Sequence, residues 1–318
     1  MLTNSTRREF LKTAAAGAAI AACPSLLQAS PDRLPIGFST LGCPTWEWLQ
    51  ILDFAAAHGF AAVELRGLQG NMDLPTRPEF SAERLPQSKR DVASRGLKIA
   101  CVSSSANLHD ADATKHEKQL ADARRFIDLA SSLDAPYIRV FGNKIEGPRE
   151  PVIERVAAGL RDLGTYAGPK NVTVIIESHG DFTDSATLRQ ILAKADSPHV
   201  GLLWDAHHTF AASHEDPEFT VSQLGKYIRH THLKDSVPDG KDRKYVLTGH
   251  GDVPVRKQVE QLTRIGYKGY YSFEWEKVWH PDIEAPEVAF AEYAEVMRQY
   301  LQEANSKRAA LHSQKARS

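Results

Sequence analysis

The sequence predicts a single (β/α)8 barrel, and three observations carry that prediction. Strand-like and helical segments alternate eight times over roughly 250 residues, the usual size of such a barrel. Several of the strands are apolar at successive positions, as a parallel sheet covered by helices on its outer face demands. In the second half, four hydrophobic runs each end on a metal-binding residue type: VTVIIESHG at Glu177, VGLLWDAHH at Asp205, YIRHTHLKD at His232 and YYSFEWE at Glu274. Their spacings are 28, 27 and 42 residues, and each of the first two intervals fits one strand, one helix and their loops. Successive strand ends of a parallel barrel meet around one mouth, where chemistry sits. The alternative, a doubly wound open sheet, lacks a GxGxxG after its first strand.

The elements run in order from Leu34. IGFSTLG (36–42) is the first strand, and TWEWLQILDFAAAHG (45–59) a helix ended by Gly59. AAVELRG (61–67) is the second strand; the helix over 81–96 begins its regular part near Leu85, because Pro86 belongs in a first turn. LKIACVSSS (97–105) is the third strand, followed by a long helix from Lys115 to Leu133. APYIRVFGN (135–143) and the helix over 149–167 come next, then NVTVIIES, the helix over 185–195, and HVGLLWDA. YIRHTHLKD is the seventh strand and KGYYSFEWE the eighth, with the helix VRKQVEQLTRIG between them. A helix over 286–304 closes the barrel domain (34–304), and the basic, polar tail 305–318 is expected to fray. The loop 236–254, the longest after a strand, is expected to form a lid or rim over the mouth.

The first 30 residues read as an export segment rather than part of the fold. Arg7-Arg8 with Phe10-Leu11-Lys12 precedes the small, apolar stretch AAAGAAIAAC, which resembles a twin-arginine signal and implies a periplasmic or other extracytoplasmic location. Cleavage near Ala29 is one outcome. A lipid anchor on Cys23, in the box Ile20-Ala21-Ala22-Cys23, is the other. The remaining cysteines, Cys43 and Cys101, complete neither a metal-binding pair nor a disulfide framework. With 39 basic and 40 acidic side chains the net charge is −1, which leaves no field to gather nucleic acid or anionic lipid.

An isolated carboxylate at the end of a buried strand costs several kcal/mol unless a cation or donor meets it. For any one of the four strand ends, an ion pair to a neighbouring lysine or arginine is the simpler explanation. Four in succession favour a shared divalent ion. The carboxylates of Glu177 and Asp205 suit Mg2+, Mn2+ or Co2+, and the His232 imidazole tilts the choice towards Mn2+, Co2+ or Zn2+. His230 shares the parity of His232 and reads as a hydrogen-bonded core residue; Asp235 either orients the ligand histidine or begins the loop. Glu274 and Glu276 share one face of the last strand. His179 either reaches a sugar hydroxyl or caps the next helix. Lys234, His109 and Trp46 are further substrate contacts by position, although His109 follows the third strand, where a polar loop residue requires no function, and Trp46, placed to stack on a sugar face, suits a helix core equally well. Arg139 reads as a buried, paired arginine, and Glu64 as a partner of Arg66 or Arg139.

The stretches STLGCPTWEW, GFAAVELRG, IIESHG, LLWDAHH, HTHLKD, LTGHGDVP and GYKGYYSFEWE resemble the sugar phosphate isomerase/epimerase family, which has a xylose isomerase-like TIM barrel. The resemblance runs over roughly Ile36 to Glu276. It implies a site for one divalent ion, Mn2+ first and Co2+, Mg2+ or Zn2+ otherwise, held by Glu177, Asp205, His232 and Glu274, with His208 touching the substrate. Two positions depart from the ketose 3-epimerases of that family. Pro238 stands where they carry an arginine, and Gly249-His250-Gly251 where members usually have Gly-Glu-Gly.

The activity so implied is isomerisation or epimerisation of a small sugar, keto-sugar or polyol. A cation on a carbonyl and its neighbouring hydroxyl stabilises an enediolate, while Glu177 and Glu274 remove and return the proton. With Pro238 and an exported location, a keto-glycoside lyase or deglycosidase is the enzyme alternative, and a sugar-binding barrel the non-enzyme one. A homo-oligomer is compatible with all of these.

Overall fold

The computed structural model describes residues 33–315. The expected export segment, with Arg7, Arg8 and Cys23, lies outside the described residues. In chain order the strands are β1 (Ile36–Ser39), β2 (Ala62–Leu65), β3 (Lys98–Asn107), β4 (Tyr137–Asn143), β5 (Thr173–Gly180) and β6 (Val200–Asp205). β7 (Ile228–Leu233), β8 (Asp235–Asp239), β9 (Asp242–Val246) and β10 (Tyr271–Phe273) complete the set. β1 to β7 and β10 close an eight-stranded barrel whose pairs are all parallel, with β10 between β7 and β1. These are the eight strands that the sequence predicts.

The helices are α1 (Trp48–Ala57), α2 (Leu85–Ser94), α3 (Ala113–Ser132), α4 (Arg149–Ala167) and α5 (Ser185–Ala195). After them come α6 (Ala206–Ala211), α7 (Pro217–Leu224), α8 (Val255–Arg264) and α9 (Pro286–Lys315). Asp112 caps α3 by accepting from the N–H groups of Thr114 and Lys115, and Asp184 caps α5 by accepting from Thr187. Two helices, α6 and α7, fill the connection from β6 to β7, where sequence periodicity assigns none. α6 is too short to show a period.

α9 also runs eleven residues beyond Ala304, so the stretch 305–315 is helical rather than frayed. That stretch contains neither Gly nor Pro, and Lys307 pairs with Glu260 of α8 at 2.6 Å.

Strand alternation divides the side chains into two very different sets. Outward positions such as Val63, Leu65, Ile138, Val140, Val174, Ile176, Leu202, Trp204 and Phe273 join the main hydrophobic core beneath the helices. Inward positions hold only a small apolar cluster, Cys101, Ile175 and Leu203 with Tyr137 against it. One step nearer the mouth the inward side chains are polar and almost wholly buried: Glu64, Ser103, Arg139, Glu177, Asp205 and His232. Most barrels fill this space with branched aliphatic residues. This one fills it with ionisable groups.

Two register shifts adjust that layer. Val63 pairs with Ile99 but Glu64 with Cys101, and Leu202 pairs with Ile228 but Leu203 with His230. Each inserts one residue, Ala100 or Arg229, and re-aims the side chains beyond it.

The long loop after β7 is a hairpin, β8 paired antiparallel with β9, continuing into the Gly249–Val253 turn. Asp235 organises it. Oδ2 accepts from the backbone N–H of Gly249 at 2.8 Å and of Gly251 at 2.9 Å; Oδ1 accepts from Ser236 at 2.8 Å and Val253 at 3.2 Å. Asp235 is therefore not an orienting partner of His232. Both glycines of Gly249-His250-Gly251 bring their amides to one carboxylate, and a Cβ on Gly251 would collide with it. Replacing Asp235 with Ala strands several buried donors. Thermal and urea unfolding are expected to show a loss of about 3 kcal/mol, and an unchanged stability would remove this role.

Candidate active site and metal centre

The strand ends bring together the four residues singled out in the sequence. Glu177 ends the apolar part of β5, Asp205 ends β6, His232 lies on β7 and Glu274 comes directly after β10. Each offers one ligand atom, and those atoms all lie within 4.8 Å of one another. His232 Nδ1 stands 3.2 Å from Glu274 Oε2, 3.8 Å from Glu177 Oε1 and 3.9 Å from Asp205 Oδ2. His232 Nδ1 and Asp205 Oδ2 are buried with no aligned hydrogen-bond partner among the described residues. An imidazole nitrogen without an aligned hydrogen bond, facing three carboxylates across such a gap, fits a divalent ion, and the one-imidazole, three-carboxylate set suits the ions expected.

His232 is aimed from behind. Its Nε2–H donates to Glu64 Oε2 at 2.8 Å, and His230 Nε2–H donates to the same oxygen at the same distance. Ser103 Oγ donates to the other oxygen of Glu64 at 2.9 Å. Burial acts to raise the Glu64 carboxyl, but the His232 charge and the two imidazole hydrogen bonds outweigh it and hold the group well below the usual carboxylate range. Glu64 thus pairs with neither Arg66 nor Arg139. The signal for this in the chain is a carboxylate on β2 at inward parity, with two histidines spaced by two on β7. His230 is the hydrogen-bonded core residue expected.

Arg139 is buried and paired, as expected, and its partner is Glu177: Nη1 donates to Oε2 at 2.6 Å. Burial pushes the Glu177 carboxyl up, but Arg139 and His232 bring it down to about 2. For His232, burial opposes the charge, yet Glu274 and Glu64 raise its pKa well above the ordinary range. These carboxylates thus favour the doubly protonated imidazole in the metal-free protein. Burial likewise opposes ionisation of Glu274, and His232 and Lys234 together lower it well below its usual value.

Lys234 has a different place from the one predicted. It is fully buried and does not line the cavity. Nζ donates to Glu274 Oε2 at 2.5 Å and Glu276 Oε1 at 2.6 Å, and approaches Asp205 Oδ2 to 2.8 Å without hydrogen-bond alignment. Burial would deprotonate it, but Asp205, Glu274 and Glu276 raise its pKa well above the usual lysine value. Lys234 stands as an internal counter-ion to three carboxylates, beneath the cavity rather than on its lining.

A cavity of about 300 Å³ opens over this layer, lined by Glu177, Glu274 and Glu276 together with His179 and His208. Such a volume suits a monosaccharide-sized ligand. His208 Nδ1–H donates to the Ser178 carbonyl at 3.0 Å, which leaves Nε2 uncommitted. His179 packs against Phe141 and His208, and burial lowers its pKa, so it offers a neutral imidazole. His207 turns aside, with Nε2 against Ser236 Oγ at 2.8 Å; burial first, then Lys234, takes its pKa down to about 2.

Two predicted contacts are not brought to the cavity. Trp46 is buried against Phe54 and Phe290, an aromatic core position where α9 covers α1. His109 sits in the loop after β3, where its carbonyl accepts from Arg155 at 2.7 Å, and it is not among the cavity's lining residues. Several lining residues are not assigned to the site from the sequence, Arg66 and Trp279 among them. Arg66 comes just after β2, and Trp279, 57% exposed, stands beyond Glu276. Strand parity points to Arg66, two residues past Glu64. No sequence period reaches Trp279 in its irregular loop.

A family model described as xylose isomerase-like TIM barrel matches residues 52–300. Among curated proteins, fructoselysine 3-epimerase of Shigella flexneri is 24% identical over 155 residues, 46% of this chain and 55% of that protein. The chain thus spans about half the length of the curated relatives it matches. Among solved structures, an L-ribulose 3-epimerase superposes with a TM-score of 0.71 at 17% identity, covering 87% of this chain and 97% of that one. The IOLI protein, solved with a zinc atom, superposes with a TM-score of 0.66 at 17% identity, covering 85% and 99%. At those identities the solved structures bear on the fold alone. The family match covers most of the sequence and coincides with the closed parallel barrel, and on that ground the chain belongs to the xylose isomerase-like TIM barrel family.

Proposed function

We propose that this protein is a divalent-metal-dependent sugar isomerase or epimerase that moves a proton on the carbon beside a carbonyl. The observation that carries the proposal is the meeting of Glu177, Asp205, His232 and Glu274 within 4.8 Å, with His232 Nδ1 buried among the three carboxylates and without an aligned hydrogen bond. The similarity to a fructoselysine 3-epimerase, over about half of that protein's length, supports the same class. The four residues would hold one ion, Mn2+ first among Mn2+, Co2+, Mg2+ and Zn2+. When bound, it would supply polarisation of the carbonyl and its neighbouring hydroxyl, which stabilises an enediolate.

The side chains do the rest. Glu177 is ionised at neutral pH and is steadied by Arg139, so it is in the basic form needed to take the proton. Glu274, set across the layer, relays one to the other face from the Lys234 ammonium that donates to its Oε2. Steps of this kind are each worth roughly 10² to 10⁴ in rate. Asp205 and His232 orient without transferring protons, Glu64 fixes the His232 ring, and His208 and His179 meet sugar hydroxyls. Arg7-Arg8, ahead of the alanine-rich stretch, supports export by the twin-arginine route and a neutral sugar or polyol pool outside the cytoplasm.

Three outcomes test this. Glu177→Gln is expected to keep the fold and most metal affinity but to abolish exchange of the substrate α-proton with solvent deuterium, read by NMR; retained exchange would remove Glu177 as the base. Glu64→Gln is expected to weaken metal binding about 10- to 100-fold by freeing the His232 ring, with equilibrium dialysis as the measure. Because the surrounding carboxylates favour a protonated His232, binding is expected to expel its Nδ1 proton. Affinity should therefore rise with pH near neutrality by about tenfold per unit, and calorimetry in buffers of different ionisation heat should detect the released proton. A pH-independent affinity would contradict this.

A further inference from the structure

The cavity mouth is polarised. Its carboxylates, Glu177, Glu274 and Glu276, come from β5 and the segment after β10. The arc from β2 to β4, which adjoins β5, contributes Arg66, Ser105, Asn107, Arg139 and Asn143, with no carboxylate among them. Glu64 does belong to β2, but both of its oxygens are engaged deeper in the barrel by His230, His232 and Ser103.

Arg66 is the unusual member of that arc. Its side chain is 8% exposed, yet among the described residues no carboxylate pairs with it. The only side-chain hydrogen bond it makes there runs from Nη1 to the sulfur of Met72 at 3.5 Å, a weak acceptor. Burial first, and then the like charge of Arg139, bring its pKa down to about 10, which still leaves a full cation at neutral pH. Arg139 adds a second guanidinium to the same cavity. One of its nitrogens holds Glu177; Nε and Nη2 have no partner, and the group lies 3.9 Å from the centre of the Phe141 ring. Glu177, Glu274 and Glu64 favour the Arg66 charge from a distance, but none pairs with it directly, and a folded protein retains such a buried guanidinium where an anion arrives to complete it.

We propose that Arg66 is the anchor of an anion subsite, reinforced by the field of Arg139, which takes a carboxylate at the end of the substrate remote from the reacting carbonyl. This rests on the isomerase reading above and narrows it to sugar acids, such as keto-uronates. The carbonyl end would lie towards Glu177, Asp205, His232 and Glu274. The acid would lie across the mouth, with Ser105, Asn107 and Asn143 as neutral donors beside it. A cavity of about 300 Å³ accommodates a six-carbon acid. A phosphate ester shares the anionic chemistry, and the test separates the two.

The experiment is calorimetric titration of the Mn2+-loaded full chain with D-fructose, D-fructuronate and D-fructose 6-phosphate, which share one ketose end. Fructuronate is expected to bind about tenfold or more tightly than fructose, the worth of one charge-assisted hydrogen bond, and more tightly than the phosphate. In Arg66→Gln the ratio of fructuronate to fructose affinity is expected to fall to about one. Arg66→Lys, which keeps the charge, should recover part of it. Equal affinities in the unaltered protein, or a preference that survives Arg66→Gln, would overturn the subsite; tightest binding of the phosphate would overturn its assignment to a carboxylate. The unaltered protein gives an answer even if a variant fails to fold. Metal content and solvent proton exchange, measured alongside, report separately on the isomerase reading.

Discussion

The site depends on one interaction: a single carboxylate oxygen of Glu64 accepts from both His230 and His232 at 2.8 Å. It joins β2 to β7 across the interior of the barrel, between residues far apart in sequence. It also leaves only Nδ1 of His232 facing the other three candidate ligands. Without that bond the imidazole would be free to turn, and the remaining carboxylates would share a space with no fixed nitrogen. The second histidine on the same oxygen makes the arrangement stiff, because moving Glu64 towards one ring breaks its contact with the other. Removing one member of such a buried charged set costs about 3–5 kcal/mol, since the partners left behind remain charged and dry.

The apolar core explains how the protein tolerates this. Hydrophobic packing lies almost entirely between the outer face of the strands and the helices, while Cys101, Ile175 and Leu203 form only a small apolar cluster inside. The inner layer above that cluster holds together through mutual neutralisation. Arg139 meets Glu177, Lys234 meets Glu274 and Glu276, and the imidazoles meet Glu64. Lys234 brings a fixed positive charge to the carboxylates, so the metal-free protein is already partly compensated. On the proposed reading, an arriving divalent ion would displace a proton from His232 rather than fill a bare nest of negative charge.

Much of this is legible in the sequence because it depends on parity and chain order. Eight strands in sequence order, one closed cylinder and alternation of side chains place Glu177, Asp205 and His232 at one rim without further information. Paired interactions across the barrel are less legible. Glu64 reads equally well beside Arg66, two residues away, as beside histidines more than 160 positions later, and only closure of the cylinder decides between them. Lys234 and Asp235 come directly after His232 and Leu233, and both look like rim residues. The structure gives Lys234 to the inner charge layer and Asp235 to the backbone of the loop. Trp46 shows the converse failure, an aromatic near a strand end that packing on α9 draws into the core. The helical run to Lys315 is hidden by its polar composition, which suggests fraying although the stretch contains no residue that breaks a helix.

The most direct measurement is anomalous diffraction at the metal edge from crystals of the folded protein grown with Mn2+. One ion is expected, bonded to Glu177, Asp205, His232 Nδ1 and Glu274, with His232 Nε2 still donating to Glu64. An ion held instead by Asp205, His207 and His208, or an ordered site with Mn2+ present and His232 still pointing at unfilled carboxylates, would contradict the account.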